Sequence, residues 1–326
     1  MDAVNNKLEL FVHNAQIVKK EFRWHHALTR KFAALLYARD GLTVDCYAIR
    51  KCYMLIKQSA GPFSAFRGNL ALCLASLLSL SPDPQELLDN TQKVYGLLRD
   101  ERLHASDYLV IASYEIAAGV SPMRYYETAI RTRAFYDRMK SKRFFLTGQD
   151  DYIFAAMLGL SDLDVTVGTD RIDKLYMRLK GEFWDKNSTQ ALAQILVLSG
   201  TDNNVVDKII TLRDAFKANK IRMDKAYTIP ALGILAMLPV NVEVIVRDII
   251  ESLKELRQQK GFGSWSISNQ ELLIYAAAIV ANEHAYELRD SVVSAAVATG
   301  IANIMIAQQA AMIAMISSSA AVAASS

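Results

Sequence analysis

Glycine and proline are scarce in this chain, with 14 and 6 among 326 residues. Because these residues form most tight turns, their scarcity argues against a fold rich in β-strands. Charge of one sign is also lacking: 37 Lys and Arg stand against 34 Asp and Glu, so the net charge is only +3. This balance gives no strong electrostatic field around the whole molecule and disfavours a nucleic-acid partner.

Cysteine is scarcer still, with Cys46, Cys52 and Cys73 alone. An odd, low number predicts no disulfide framework and indicates a reducing compartment. Residues 1–21 carry charge throughout and contain no long apolar run, so we expect no signal peptide. The sequence therefore predicts a cytoplasmic protein without disulfides.

A leucine or valine recurs along most of the chain at intervals of 38, 40, 40, 38, 40 and 42 residues, at Leu42, Leu80, Val120, Leu160, Leu198, Leu238 and Val280. Six residues before each of these anchors stands a large apolar residue: Leu36, Leu74, Tyr114, Phe154, Leu192, Leu232 and Ile274. A period of about forty residues is typical of stacked helical hairpins. Each anchor would end one apolar helix, A, and a short turn with Ser, Asp, Asn or Pro would start a second helix, B.

The predicted fold is all-α: an array of about seven helical hairpins over residues 1–290. Residues 5–22 show helical spacing of apolar side chains and would form a capping helix at the N-terminal end. The unit length favours an open α-α superhelix, or solenoid, and a closed α/α toroid remains the alternative.

The predicted connectors differ in length. A-to-B turns are short, whereas B-to-A connectors are long and rich in aromatic and polar residues. Equivalent connectors in a regular array lie on one edge, so we expect function at that edge. The candidate binding residues belong to these connectors or to the helix starts beside them: Arg67, Asp107, Asp150, Asp151, Trp184 and Trp265.

Each candidate has a functional and a structural interpretation. Arg67 is either an anion clamp or a tie between connectors, for example to Asp107. Asp150 and Asp151 could hold a metal or exchange protons, but capping of the next helix start is the favoured role. Trp265, in a Gly-Ser-Trp turn like those of helical toroid enzymes, is expected to pack against the next hairpin.

No catalytic signature stands out, so the sequence leans against an enzyme. The adjacent His25 and His26 would point to different helix faces, and we expect no metal site. A glycine-rich phosphate loop and a Gly-x-Ser-x-Gly elbow are both absent, and we expect no cofactor.

Residues 291–326 contain no charged side chain and twelve alanines. The favoured interpretation is a helix packed on or across the array, followed by an oligomer interface. A membrane helix is the third interpretation, because about twenty apolar residues can span a bilayer. Two glutamines in mid-span and the lack of a flanking basic cluster argue against it.

Several runs together resemble a known family. Residues 63–68, 146–152 and 260–263, with the Gln308-Gln309 pair in the alanine-rich segment, are similar to the uncharacterised bacterial family called domain of unknown function 4003. The resemblance implies a single all-helical bacterial protein and assigns no activity or catalytic residue.

Three functions follow as hypotheses. The first is a cytosolic binding or scaffold protein for a peptide or protein, using the concave face or the connector edge. The second is a small-molecule binder or enzyme, with a pocket lined by the candidate residues. The third is a protein tethered to a membrane by residues 291–326.

Overall fold

The computed structural model describes residues 2–200, 204–286, 309–311 and 313. These residues form α-helices joined by loops and short 3-10 turns, and no strand occurs among them. The all-α prediction is confirmed. The helices in chain order are α1 (Asp2–Glu21), α2 (Ala27–Arg39), α3 (Cys46–Ser59), α4 (Ala71–Leu78), α5 (Pro84–Asp100), α6 (Asp107–Gly119), α7 (Tyr125–Lys142), α8 (Tyr152–Leu160), α9 (Val165–Leu179), α10 (Lys186–Leu198), α11 (Asn204–Ala218), α12 (Ile229–Met237), α13 (Val242–Gln258) and α14 (Asn269–Tyr286).

Even-numbered helices correspond to the predicted A helices and odd-numbered helices to the B helices. Helices α4, α6, α8, α10 and α12 end within two residues of an anchor, at Leu78, Gly119, Leu160, Leu198 and Met237. Helix α14 instead runs past Val280 to Tyr286. The most extensive helix contacts join a B helix to the A helix that follows it, as in α5 with α6 and α7 with α8. Helices joined by a short turn, such as α4 with α5 and α6 with α7, contact each other much less.

The two kinds of helix differ in burial. Every residue of α4 is buried, as are residues 152–159 of α8 and 229–236 of α12. The B helices are amphipathic: in α5 only Leu88, Thr91, Val94 and Leu98 are buried. This spacing of three and four residues places the buried side chains on one stripe. Within each unit the A helices therefore form an inner layer, and the B helices expose one face to solvent.

The described residues divide into two compact units. Unit 1 contains those of 1–16, 37–43 and 170–306, and unit 2 contains those of 17–36, 44–169 and 307–326. The boundaries fall inside α1, α2 and α9, so these helices contribute to both units. The predicted division into an array over 1–290 and a separate C-terminal helix stays a prediction.

Unit 1 joins the start of the chain to its later helices. The ring of Phe11 on α1 lies 5.4 Å from that of Phe262 and 5.3 Å from that of Tyr275 on α14. Lys7 pairs with Glu283 at 3.2 Å, and the Asn282 amide donates to the Arg39 carbonyl at 3.2 Å. Helix α1 therefore packs against side chains from the last described hairpin.

In unit 2 an arginine on α7 binds the end of α8 and the turn that follows it. The Arg131 guanidinium on α7 donates to the carbonyls of Gly159, Ser161 and Leu163 at 3.0, 2.8 and 2.7 Å. These carbonyls belong to the end of α8 and to the turn after it, where helical partners run out. One planar side chain thus holds the α8–α9 turn against α7.

Four residues of the segment 291–326, which was predicted to form a packed helix, are described. Gln309, Ala310, Ala311 and Ile313 are buried, and they belong to helical segments of unit 2. The rest of the call on residues 291–326 lies outside the described residues.

Candidate functional site

The seven B-to-A connectors start in a positively charged environment. Each odd-numbered helix carries a basic residue in its last turn: Lys19, Lys20, Lys57, Arg99, Lys140, Lys142, Arg178, Lys217 and Arg257. Cations at this end stabilise a helix by interacting with its exposed carbonyls. Because such a cation stabilises the end of each B helix, a Lys or Arg also lies at the start of every long connector.

Five of the connectors also carry large aromatic side chains that protrude into solvent. The exposed fractions are 86% for Trp24, 101% for Phe63, 66% for Phe144, 96% for Phe145, 96% for Trp184 and 104% for Trp265. Isolated exposed apolar residues are common on proteins, but repetition at one topological position is not. We define the connector edge as the connectors that follow the B helices, taken separately in each unit.

In unit 2 the connector edge is physically continuous. The His25 ring meets that of Tyr53, in the middle of α3, at 5.1 Å between centroids. The Asp107 carboxylate at the start of α6 lies against Gly68 of the preceding connector. The Tyr152 hydroxyl at the start of α8 accepts from the His104 backbone N–H at 3.1 Å. Each connector thus contacts the next repeat, and Trp24, Phe63, Phe144 and Phe145 belong to this one edge.

In unit 1 arginines fix the connectors. Arg213 on α11 donates to the Glu182 carbonyl at 3.2 Å and to its carboxylate at 2.7 Å. Arg257 donates to the carbonyls of Phe262 and Ile267 at 2.8 and 3.2 Å. These bonds hold the backbone before Trp184 and on both sides of Trp265 without engaging the tryptophan rings.

Asp107 performs a structural task within the edge. Its carboxylate fills the space beside Gly68, where a Cβ would overlap it. Burial raises the pKa of the Asp107 carboxyl, and a hydrogen bond from the Asn69 backbone N–H opposes part of that rise. The residue is therefore a half-buried acceptor for the neighbouring connector.

We predict that Asp107→Asn becomes relatively more stable than the wild type as pH rises above 4. An acid whose folded-state pKa is raised contributes stability below its unfolded pKa, and this is lost as pH rises through the folded pKa. Asparagine does not ionise, so the variant does not lose this contribution to stability as pH rises. Urea unfolding of both proteins across pH 4–7 measures the difference.

Asp224→Asn is the matched control with the opposite sign. The hydrogen bond from Arg222, at 2.8 Å, lowers the pKa of the Asp224 carboxyl. That contribution is fully present above the unfolded pKa of about 4 and is lost as pH falls below it. This variant should therefore lose relative stability as pH rises from about 2 to 4, and its urea series covers that range. Parallel behaviour of the two variants would contradict the assignment for Asp107.

Asp150 and Asp151 both turn toward Gly148. Asp151 Oδ2 accepts from the Gly148 backbone N–H at 2.9 Å, and the Asp150 carboxylate also lies beside this glycine. Burial raises the pKa of the Asp150 carboxyl. This geometry agrees with the favoured capping role, because both carboxylates serve the 3-10 turn that leads into α8.

The remaining candidates lie at the surface of different units. Arg67 is exposed in unit 2, and Trp184 and Trp265 are exposed in unit 1. The interpretation that Trp265 packs against the next hairpin is wrong, since its ring is fully exposed. Sequence reasoning did not single out Trp24, Phe63, Phe144 and Phe145. Their recurrence was the available signal, because Phe63 follows Trp24 by 39 residues and Trp184 follows Phe144 by 40.

The described part of the chain contains no group of three or more His, Cys, Asp or Glu side chains placed to hold a metal ion. Cys52 and Cys73 are buried, and burial raises the pKa of Cys46 and of Cys52 to about 11, which disfavours the reactive thiolate. Among the helices described, none is both long and apolar enough to cross a bilayer.

These features define an all-α helical array with aromatic side chains exposed along its connector edges. The chain belongs to the family described as protein of unknown function (DUF4003), which matches residues 14–310. No curated protein and no solved structure matches the chain.

Proposed function

We propose that this protein is a helical-repeat binding or scaffold protein of the cytoplasm, and that the connector edge of each unit is its docking surface. One observation carries the proposal: large aromatic side chains are exposed in five of the seven long connectors. Aromatic residues are enriched at recognition surfaces, because a rigid side chain supplies much contact area at little entropic cost.

The A helices are too deeply buried to bind a partner, which supports the connector edge as the docking surface. Helix α4 in unit 2 and residues 229–236 of α12 in unit 1 offer no exposed side chain to a partner. Docking onto these helices would require other parts of the chain to move away. The connector aromatics need no such movement.

A peptide or protein was the partner expected from the sequence, and basic helix ends beside the aromatics suit an acidic one. The edge can be tested without assuming the partner. A photo-crosslinking phenylalanine analogue placed at Phe63 or Phe145 should give a discrete adduct in cells that express the protein from its own gene. The same analogue at Met123 is the control, because this side chain is 94% exposed but lies in the turn between α6 and α7.

Adducts that form at positions 63 and 145 and not at 123 would support the docking surface. Equal labelling at all three positions, or no adduct at either connector position, would overturn it. The adduct itself, whether protein or lipid, identifies the class of partner.

A further inference from the structure

The connector edge of unit 2 combines exposed aromatics with cations. The Arg23 guanidinium lies 4.6 Å from the centre of the Trp24 ring, and Lys140 Nζ lies 5.5 Å from that of Phe144. Arg67 is exposed four residues after Phe63. An ammonium or guanidinium over a ring keeps the charge and the apolar group together at the surface.

Two acidic residues of the same connectors, Asp107 and Asp151, do not cancel this charge outward, whereas Glu101 offsets part of it. Asp107 lies against Gly68, and Asp151 accepts from the Gly148 backbone. Their carboxylates are therefore committed to the protein backbone.

Helices α3 and α5 of unit 2 have the reverse charge at their starts. Asp45 and Asp83 accept from the backbone N–H groups of Ala48 and Glu86 at 2.9 Å in each case. Carboxylates at helix starts and cations at helix ends are both stabilising, so the two ends of α3 and of α5 differ in sign. In unit 2 the connector edge is the positive side.

The aromatics sit on separate connectors of the edge rather than side by side in one loop. Trp24, Phe63 and the Phe144-Phe145 pair protrude from three different loops, with polar residues between them. A folded protein partner would need a matching pocket for each. A lipid headgroup region accepts Trp and Phe at any lateral position, and anionic lipids attract neighbouring Lys and Arg.

We infer that the connector edge of unit 2 docks onto the surface of a bilayer that contains anionic phospholipid. This inference rests on the proposed docking function and names its partner. Aromatic side chains enter the headgroup region, the cations contact lipid phosphates, and the helices stay outside the hydrocarbon core. This mode of membrane binding differs from a membrane-spanning helix in residues 291–326, because it needs only the connectors.

The chain contains its own reporter for this contact. It has three tryptophans, Trp24, Trp184 and Trp265, and all three are exposed on connectors. Trp24 lies on the connector edge of unit 2 and the other two tryptophans lie in unit 1, so replacing Trp184 and Trp265 by phenylalanine leaves Trp24 as the reporter for this contact. Transfer of an exposed indole from water to the lipid interface should shift its emission to shorter wavelength.

The test uses the full chain with vesicles of phosphatidylcholine alone or with a minority of phosphatidylglycerol. We expect co-sedimentation and the emission shift with the anionic vesicles only, weakening as salt is added. Simultaneous Phe63→Ser, Phe144→Ser and Phe145→Ser should lower the partition coefficient by about tenfold or more, because three apolar side chains no longer enter the interface.

The matched control replaces Tyr47, Met123 and Tyr126, exposed residues at the starts of B helices, by serine. It should leave partitioning unchanged. Equal loss in both triple variants, undiminished binding by the connector variant, or no binding to anionic vesicles would overturn the inference. In the last case, a protein adduct at Phe63 or Phe145 in the crosslinking experiment would preserve the docking edge and replace its partner. Far-UV circular dichroism verifies that both variants are folded.

Discussion

Gly159→Leu is expected to lower the free energy of unfolding of unit 2 by about 3 kcal/mol or more, because it overpacks a backbone-to-backbone contact. A Cβ at position 159 on α8 would lie 2.5 Å from Thr132 Oγ1, 3.0 Å from the Thr132 backbone N and 3.2 Å from the Thr128 carbonyl O. Two of these atoms belong to the backbone of α7, so a rotamer change cannot make room. The helices would have to separate, which would also strain the bond between Arg131 and the Gly159 carbonyl.

Gly96→Ala is the control within the same unit. Gly96 is exposed on α5, and a Cβ there meets nothing within 4 Å. Alanine is favoured over glycine inside a helix by about 0.5–1 kcal/mol, so this variant should be slightly more stable. Chemical denaturation followed by circular dichroism compares both variants with the wild type. Unchanged stability of Gly159→Leu would mean that α7 and α8 do not approach as closely as described.

The sequence predicted the helices because their signals are local. The anchors Leu80 and Leu238 follow the ends of α4 and α12 by one or two residues. Such helix ends need only a few neighbouring residues to specify them. The close approach at Gly159 was not predicted, because it depends on where α7 and α8 cross. A glycine in an apolar helix gives no sign of which backbone lies opposite.

In the candidate site, too, the features set by local sequence were predicted and those set by distant contacts were not. The sequence favoured a capping role for Asp151, and its bond to the Gly148 backbone has that geometry, since capping involves residues within one turn. The exposure of Trp265 was not predicted, because a tryptophan between glycine and serine residues is usually expected to find a packing partner. Whether a loop ring is covered depends on the path of neighbouring connectors, and no local pattern encodes that path.

The packing of α1 in unit 1 leads to the second large effect. Phe11→Ala should lower the free energy of unfolding of unit 1 by about 3–5 kcal/mol, the usual cost of truncating a fully buried phenylalanine. Phe11, Phe262 and Tyr275 are all at most 1% exposed, so the cavity would open inside a closed aromatic cluster. Edge contacts between such rings add stability beyond their buried area.

Hydrogen exchange distinguishes this effect from general destabilisation. Loss of the Phe11 ring should speed amide exchange in α14 and in the loop that contains Phe262, because both lose the partner that covers them. Phe63→Ala removes the same atoms from a fully exposed position and should change neither exchange nor unfolding. If Phe11→Ala increased exchange in α1 alone, the first helix would not be part of the core of unit 1. Exchange that rises in α14 as well would show that residues near the start of the chain are needed to complete that core.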